Sequence, residues 1–276
     1  MRLGVSLAVS FSAITGYIVA TSGIDFKIIN VFIGVFLLSG GASALNQLQE
    51  YKTDALMNRT KNRPIPAKII SISTGIIITC VLCLAGFLIL LVKVGSIPSI
   101  LGLLNILWYN GFYTYLKKKT VFAVVPGSLT GVTPLLIGWS AAGKYLLAPE
   151  IIFISFFIYM WQIPHFWLLL IKNGEDYKKA GLGTFHRIFS EDQVKRILFA
   201  WIISTSLTSL LLAYFGFIQS QVLFTLLIIM NGIISIIFYR ILFNSEEFIQ
   251  FKKAFITINI FMFMVMSFLI MDSLVY

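Results

Sequence analysis

The segment Ala44 to Pro66 reads ALNQLQEYKTDALMNRTKNRPIP. It sets Asn, Gln, Glu and Asp beside a run of Arg and Lys, and long apolar runs flank it on both sides. Across all 276 residues the chain is 58% hydrophobic and 12% charged, about half the charge of an ordinary soluble domain. So few charges cannot solvate a globular surface of this size, and the bilayer is the expected solvent. One segment rich in both signs of charge then needs a reason.

Outward from that segment, nine apolar stretches follow one another, at about 3–24, 28–46, 68–92, 97–116, 121–142, 149–171, 197–217, 221–243 and 254–275. Each is close to the ~20 residues that a spanning helix needs. The expected fold class is all-α: a polytopic membrane protein with nine transmembrane helices, a cytoplasmic N-terminus and one transmembrane domain over residues 1–276. The first stretch begins with Arg2 before an apolar run, as a signal peptide does. It is long for that role and lacks a clear small-x-small cleavage site, so it reads as the first span.

Charge sidedness supports this count. With the N-terminus inside, eighteen of the 21 Lys and Arg face the cytoplasm, and only Lys27, Lys93 and Lys144 lie outside. That is the positive-inside distribution, and a miscounted span would spoil it. The net charge of +10 is accounted for by orientation, so the expected partner is the lipid bilayer and not a nucleic acid. Cys80 and Cys83 form a C-x-x-C inside an apolar run with no second ligand pair nearby. They read as small core or lipid-facing residues. The inner loops after the second and sixth stretches both mix acids with bases, and this four-span offset suggests two related four-helix halves with a ninth helix added.

Asn46, Glu50 and Asp54 are spaced i, i+4, i+8. Each step of four turns a helix by only ~40°, so all three project from one face. Three oxygen-bearing side chains on one stripe suit a hard cation such as Mg²⁺, which favours carboxylates together with substrate phosphates. Arg59, Lys61 and Arg63 follow and can grip the phosphate itself. A solvated loop with balanced charges is the plain alternative. Against it, a related cluster recurs after the sixth stretch, where Asp176 lies between Lys172 and Lys179. Two such clusters could close on one diphosphate from opposite sides.

At this point the residues resemble a known family. Asn46-x-x-x-Glu50-x-x-x-Asp54-x-x-Met57-x-Arg59-Thr60-x-Asn62-Arg63-Pro64 looks like the first acidic motif of the UbiA-type intramembrane prenyltransferases. Its Met-x-Arg-Thr-x-Asn-Arg-Pro tail resembles the branch that farnesylates protoheme IX. YTYLKKKT (Tyr113 to Thr120), PLLIGW (Pro134 to Trp139) and WQIPHFWLLLIKNGEDYKKAG (Trp161 to Gly181) resemble later motifs of the same branch, in order. The match departs after Gly181, where the chain reads LGTFHRIF, and Ala180 stands where other branches place a second Asp.

The resemblance implies a Mg²⁺-dependent enzyme of the cell membrane with its active site on the cytoplasmic side. Asn46, Glu50, Asp54 and Asp176 would hold the metal and carry catalysis. Arg59, Arg63, Lys117, Lys118, Lys172, Tyr177, Lys179 and His165 would bind substrates. The implied reaction joins farnesyl diphosphate to a vinyl group of heme b, giving heme O. Ionisation of the allylic diphosphate comes first, and water captures the cation that remains on the acceptor. The implied partners are farnesyl diphosphate, heme b, the bilayer, and the heme-modifying or terminal-oxidase assembly machinery. His165 sits in an apolar run, where an ionisable side chain is a functional candidate. It could touch heme, or it could be a packed histidine bonded to a neighbouring helix; His186 lies in a polar loop and reads as solvated. Three other readings stay open. They are a related enzyme prenylating a quinone precursor or other aromatic acceptor, a transporter of anionic amphiphiles, and a heme-binding assembly factor without chemistry.

Overall fold

Helix starts follow the few capping signals that the chain contains. Ser71 caps one helix by accepting from the Thr74 backbone N–H at 3.1 Å. Ser190 and Gln193 form a reciprocal capping box, with Glu191 and Asp192 in the first turn, where acids complement the helix dipole. Pro149 occupies the first turn of another helix, where its missing N–H costs nothing.

The computed structural model describes residues 3–181, 188–243 and 250–276; Arg2, His186 and Arg187 lie outside the described residues. The helices are α1 (Leu3–Thr21), α2 (Lys27–Leu56), α3 (Ile72–Ile89), α4 (Ser96–Ile106), α5 (Thr114–Leu116), α6 (Val124–Gly127), α7 (Leu129–Ala141), α8 (Pro149–Lys172), α9 (Gly174–Lys179), α10 (Glu191–Tyr214), α11 (Gln221–Phe243) and α12 (Phe251–Val275). No strand occurs among the described residues, and the fold is all-α. Among the described residues, eight helices are long and apolar enough to cross a membrane, which makes this a multi-pass membrane protein. The stretch expected at 97–116 is helical too, but α4 passes through a π-helical run, Leu107–Tyr113, into α5.

α2 is the longest element at 30 residues. At ~1.5 Å per residue it outruns a hydrocarbon core of ~30 Å by several turns. The polar stripe therefore belongs to the same rod as the second span. α1 packs on α7, α2 and α12. It lies close to α7 because both helices carry glycine at the crossing. A Cβ on Gly16 would overlap the Leu135 carbonyl oxygen, and one on Gly138 would overlap that of Ala13. Small residues that let backbones approach are the usual means of helix packing in a membrane.

Prolines inside α7 and α8 each free a carbonyl one turn back. Pro134 leaves the Thr130 carbonyl, which accepts from Asn105 Nδ2 at 3.3 Å. Pro164 leaves the Met160 carbonyl 3.1 Å from Thr205 Oγ1, whose single O–H is shared with the Trp201 carbonyl of its own helix at 2.8 Å. Side chains of neighbouring helices thus replace the missing backbone donors, as a bilayer requires.

The two ends of the bundle differ. At one end the segments after α2, α5 and α8 converge. At the other, Tyr17 donates to Asp25 at 2.8 Å, Lys27 donates to the Ala141 carbonyl at 2.7 Å, and Asp272 accepts from the Gln219 and Ser220 backbone. Single cysteines at the exposed positions Asn58 and Lys119, in a chain with Cys80 and Cys83 replaced by Ser, should react with an impermeant maleimide from the cytoplasmic side. A cysteine at Lys144 should react only from the opposite side. Reversed labelling would invert the orientation expected from the charges.

Candidate active site

Asn46, Glu50 and Asp54 lie on one face of α2, as their spacing predicts, and all three are buried, with Asp54 only 1% exposed. Such groups need partners, because a buried charge without compensation is costly. Lys117 pairs with Glu50 at 2.8 Å, and Arg63 pairs with Asp54 at 2.5 Å. Asn46 Nδ2 donates to Thr114 Oγ1 at 3.1 Å.

The π-helical run explains how Thr114 and Lys117 reach α2. Thr114 Oγ1 donates to the Tyr109 carbonyl, five residues back, at 2.9 Å. Asn110 turns the same way, donating to the Ala42 carbonyl and to Gln49 Oε1, both at 3.1 Å, while Gln49 donates to the Asn110 carbonyl at 3.1 Å. Single π turns inside helices often mark functional sites. Here the turn aims one polar face of the rod at the α2 stripe.

The second acidic cluster approaches from α9. Asp176 accepts from the backbone N–H groups of Asn58 at 3.2 Å and Arg59 at 3.1 Å. It thereby fixes the segment that presents Arg59 and Arg63. Thr60 Oγ1 donates to the Asp54 carbonyl at 2.8 Å and ties that segment to the end of α2. The two motifs therefore meet, as the sequence suggests.

They do not meet as a ready-made metal cage. No group of three acids, histidines or cysteines clusters among the described residues. The carboxylates of Glu50 and Asp54 lie on the very cations expected to bind phosphate, and Asp176 lies on backbone amides. Lys118 turns over the Tyr115 ring at 5.7 Å. Lys172 and Lys179 are exposed and Tyr177 is half-buried; none of these four lines the cavity described next.

A cavity of about 580 Å³ runs into the bundle from this cluster, within the ~300–1,000 Å³ typical of ligand sites. Arg59 and Arg63 stand at its charged end. Its walls are mostly apolar or small, from Val5, Ala8 and Val9 on α1 to Met262 on α12. Four amide or imidazole side chains interrupt them: Asn105, Gln162, His165 and Asn259. His165 lies among aromatic rings, with centroids 4.7 Å from Trp161, 4.9 Å from Phe255 and 5.6 Å from Phe166. The same ring lines the cavity, and Asn259 of α12 lines it too.

Sequence reasoning passed over Asn105, Asn110, Thr114, Gln162 and Asn259. All but Thr114, which sits in the quoted Tyr113 to Thr120 motif, are single polar residues in apolar runs, the signal that singled out His165. Gln162 also falls one turn before His165, on the same helical face.

Comparison with known proteins places these features. The model of the UbiA prenyltransferase family matches residues 9–268. A curated "Protoheme IX farnesyltransferase" of Oleidesulfovibrio alaskensis is 32% identical over 275 residues, covering 99% of this chain and 95% of its own. One of the same name from Nitratidesulfovibrio vulgaris is 32% identical over 219 residues, covering 79% and 76%. The solved structure of a UbiA homologue from Archaeoglobus fulgidus, bound to GPP and Mg²⁺, superposes with a TM-score of 0.72 at 13% identity, covering 99% of this chain and 98% of that one.

Proposed function

This chain belongs to the UbiA prenyltransferase family, and from that premise we propose that it transfers the farnesyl group of farnesyl diphosphate to a vinyl group of heme b, giving heme O, on the cytoplasmic side of the membrane. The observation that carries this reading is the junction of a charged mouth, with Arg59 and Arg63, and an apolar cavity bearing His165. A diphosphate fits the first and a prenyl chain the second. The name shared by relatives that align along most of their length supports the heme acceptor.

The donor set fits Mg²⁺: Asn46, Glu50 and Asp54 would offer oxygen ligands from one face, and Asp176, now on the Asn58 and Arg59 amides, would add a carboxylate. Mg²⁺, when bound, supplies charge neutralisation for the leaving diphosphate. The protein's own cations do the remainder. Lys117 and Arg63, which neutralise Glu50 and Asp54, would serve phosphate oxygens once those carboxylates held the metal. Arg59 is already at the mouth, where Asp176 holds its backbone. The apolar walls seat the prenyl chain and keep bulk water from the allylic cation. His165, which lines the same cavity, would serve the acceptor.

The test is direct. Purified protein in detergent, given Mg²⁺, farnesyl diphosphate and heme b, should yield the mass of heme O, and excess EDTA should remove at least 90% of it. No heme product, with prenylation of a hydroxybenzoate instead, would replace this reading with the quinone-precursor one. Activity indifferent to chelator would remove the metal.

A further inference from the structure

Away from Arg59 and Arg63, the cavity ends on packed apolar side chains. Val35 and Leu38 of α2, Gly102 of α4 and Ile137 of α7 line it there. Val35, Leu38 and Ile137 belong to one buried apolar cluster with Tyr17, Val31 and Leu90, so solid packing lies beneath them. Helix geometry gives the depth. Val35, Leu38, Ser39 and Ala42 line the cavity from α2 at the i, i+3, i+4, i+7 spacing of one helical face. Leu38 precedes Glu50 by twelve residues on the same rod, a separation of ~18 Å at the helical rise.

Leu38 occupies a slot between two glycines. A Cβ on Gly86 of α3 would lie 2.8 Å from the Leu38 backbone nitrogen and 3.0 Å from its Cγ. A Cβ on Gly102 would lie 2.5 Å from Leu38 Cδ1, with Leu90 Cδ1 at 3.5 Å and Ile137 Cδ1 at 3.9 Å. Leu90 is fully buried and Leu38 is 4% exposed. The α3 backbone and Leu90 therefore keep Leu38 from retreating into the bundle. The free direction for its side chain is the cavity, and the missing side chain at position 102 is what leaves that space open. Interiors packed this closely register a change of one methylene.

Resting on the reading that a prenyl diphosphate enters this cavity, we propose that Leu38, seated between Gly86 and Gly102, is the stop that sets the accepted prenyl length at farnesyl. The charged mouth fixes the diphosphate, so the tail is measured from there to Leu38. A tail one isoprene unit longer has to drive its end into packed side chains, and overfilling a packed core is costly. A tail one unit shorter leaves apolar wall uncovered and forfeits the burial that the missing carbons would have made. Leu38 is a specificity-determining residue in this account. It touches the far end of the tail and takes no part in the bond changes at the diphosphate.

Affinity ratios among tails of different length test this, because a merely structural role would weaken all tails alike. The probes are the thiolodiphosphates of geranyl, farnesyl and geranylgeranyl, which resist ionisation, titrated calorimetrically with Mg²⁺ into the purified protein. The parent should bind the farnesyl probe more tightly than the geranylgeranyl one by about tenfold or more, the scale of a misfitting group in an apolar pocket. Leu38→Ala should shift that ratio towards geranylgeranyl by about tenfold. Gly102→Ala, which turns Leu38 into the cavity, should shift the farnesyl-to-geranyl ratio towards geranyl by a smaller factor. A parent indifferent to the longer tail overturns the proposal, since the tail then leaves the cavity by another way. Ratios unchanged in both variants overturn it, and so does equal weakening of all three probes. Should Leu38→Ala fail to fold, the Gly102→Ala ratio decides alone, supporting the stop if it shifts towards geranyl and overturning it if not. No acceptor is present in these titrations. A protein that shows the length preference and its shifts but makes no heme product upholds the stop and sinks the heme reading alone.

Discussion

Replacing Asp54 with alanine is expected to lower prenyl transfer by about 100- to 1,000-fold, the scale on which removing one charge-stabilising group acts at a transition state. Asp54 is buried, ends the acidic stripe and holds Arg63 at 2.5 Å. On the proposed function, losing it would remove a ligand for the metal together with the carboxylate that holds Arg63. The fold should survive, because the link between α2 and the following segment uses the Asp54 carbonyl, not its side chain. Asp54→Asn keeps shape and volume but not charge, and should fall nearly as far. Formation of heme O, the product of the proposed reaction, is the measurement, with far-ultraviolet circular dichroism as the check on folding. Rates within tenfold of the parent for both variants would remove Asp54 from catalysis.

Substituting Gly138 should do its damage to the structure instead. A Cβ there would sit inside the Ala13 carbonyl and against the Tyr17 amide nitrogen, both backbone atoms of α1. Backbone cannot rotate aside, so α1 must move off α7. Overpacking of this kind costs typically ~1–3 kcal/mol, occasionally more; Gly138→Ala should fall in that range and Gly138→Leu beyond it. α1 also supplies Val5, Ala8, Val9 and Ser12 to the cavity wall, so activity should drop alongside. Thermal unfolding in detergent reads the loss. Gly232→Ala is the control, since a Cβ there meets nothing within 4 Å. Equal melting of Gly138→Ala and the parent would deny the close crossing.

Much of the frame was legible because hydrophobicity reports the solvent. The apolar stretches at 149–171 and 221–243 coincide almost residue for residue with α8 and α11. The errors fall where helix and membrane end at different places. The second stretch, read as 28–46, continues as α2 to Leu56, because Gln, Glu and Lys are good helix formers outside the bilayer too. The start of α10 lies in polar residues fixed by the Ser190 cap, where an apolar pattern has nothing to follow. The stripe of Asn46, Glu50 and Asp54 could be read from spacing alone, since a helix fixes its own periodicity. Its partners could not. Lys117 reaches Glu50 across 67 residues, and only the π turn, invisible to a pattern of 3.6, brings it there. For the same reason the bases were assigned to phosphate and the acids to metal without the sequence saying that they first satisfy one another.

The paired prolines carry a consequence for how this chain can vary. Asn105 serves a carbonyl that exists as an open acceptor only because residue 134 is proline, and Thr205 serves the one freed by Pro164 while sharing its proton with the Trp201 carbonyl of its own helix. Restoring an N–H at either proline makes its distant partner redundant, while losing the partner alone strands a carbonyl in the membrane. Inheritance should therefore treat 105 with 134, and 205 with 164, as linked pairs. Across homologues the polar member should disappear where the proline does, more often than their separate frequencies allow.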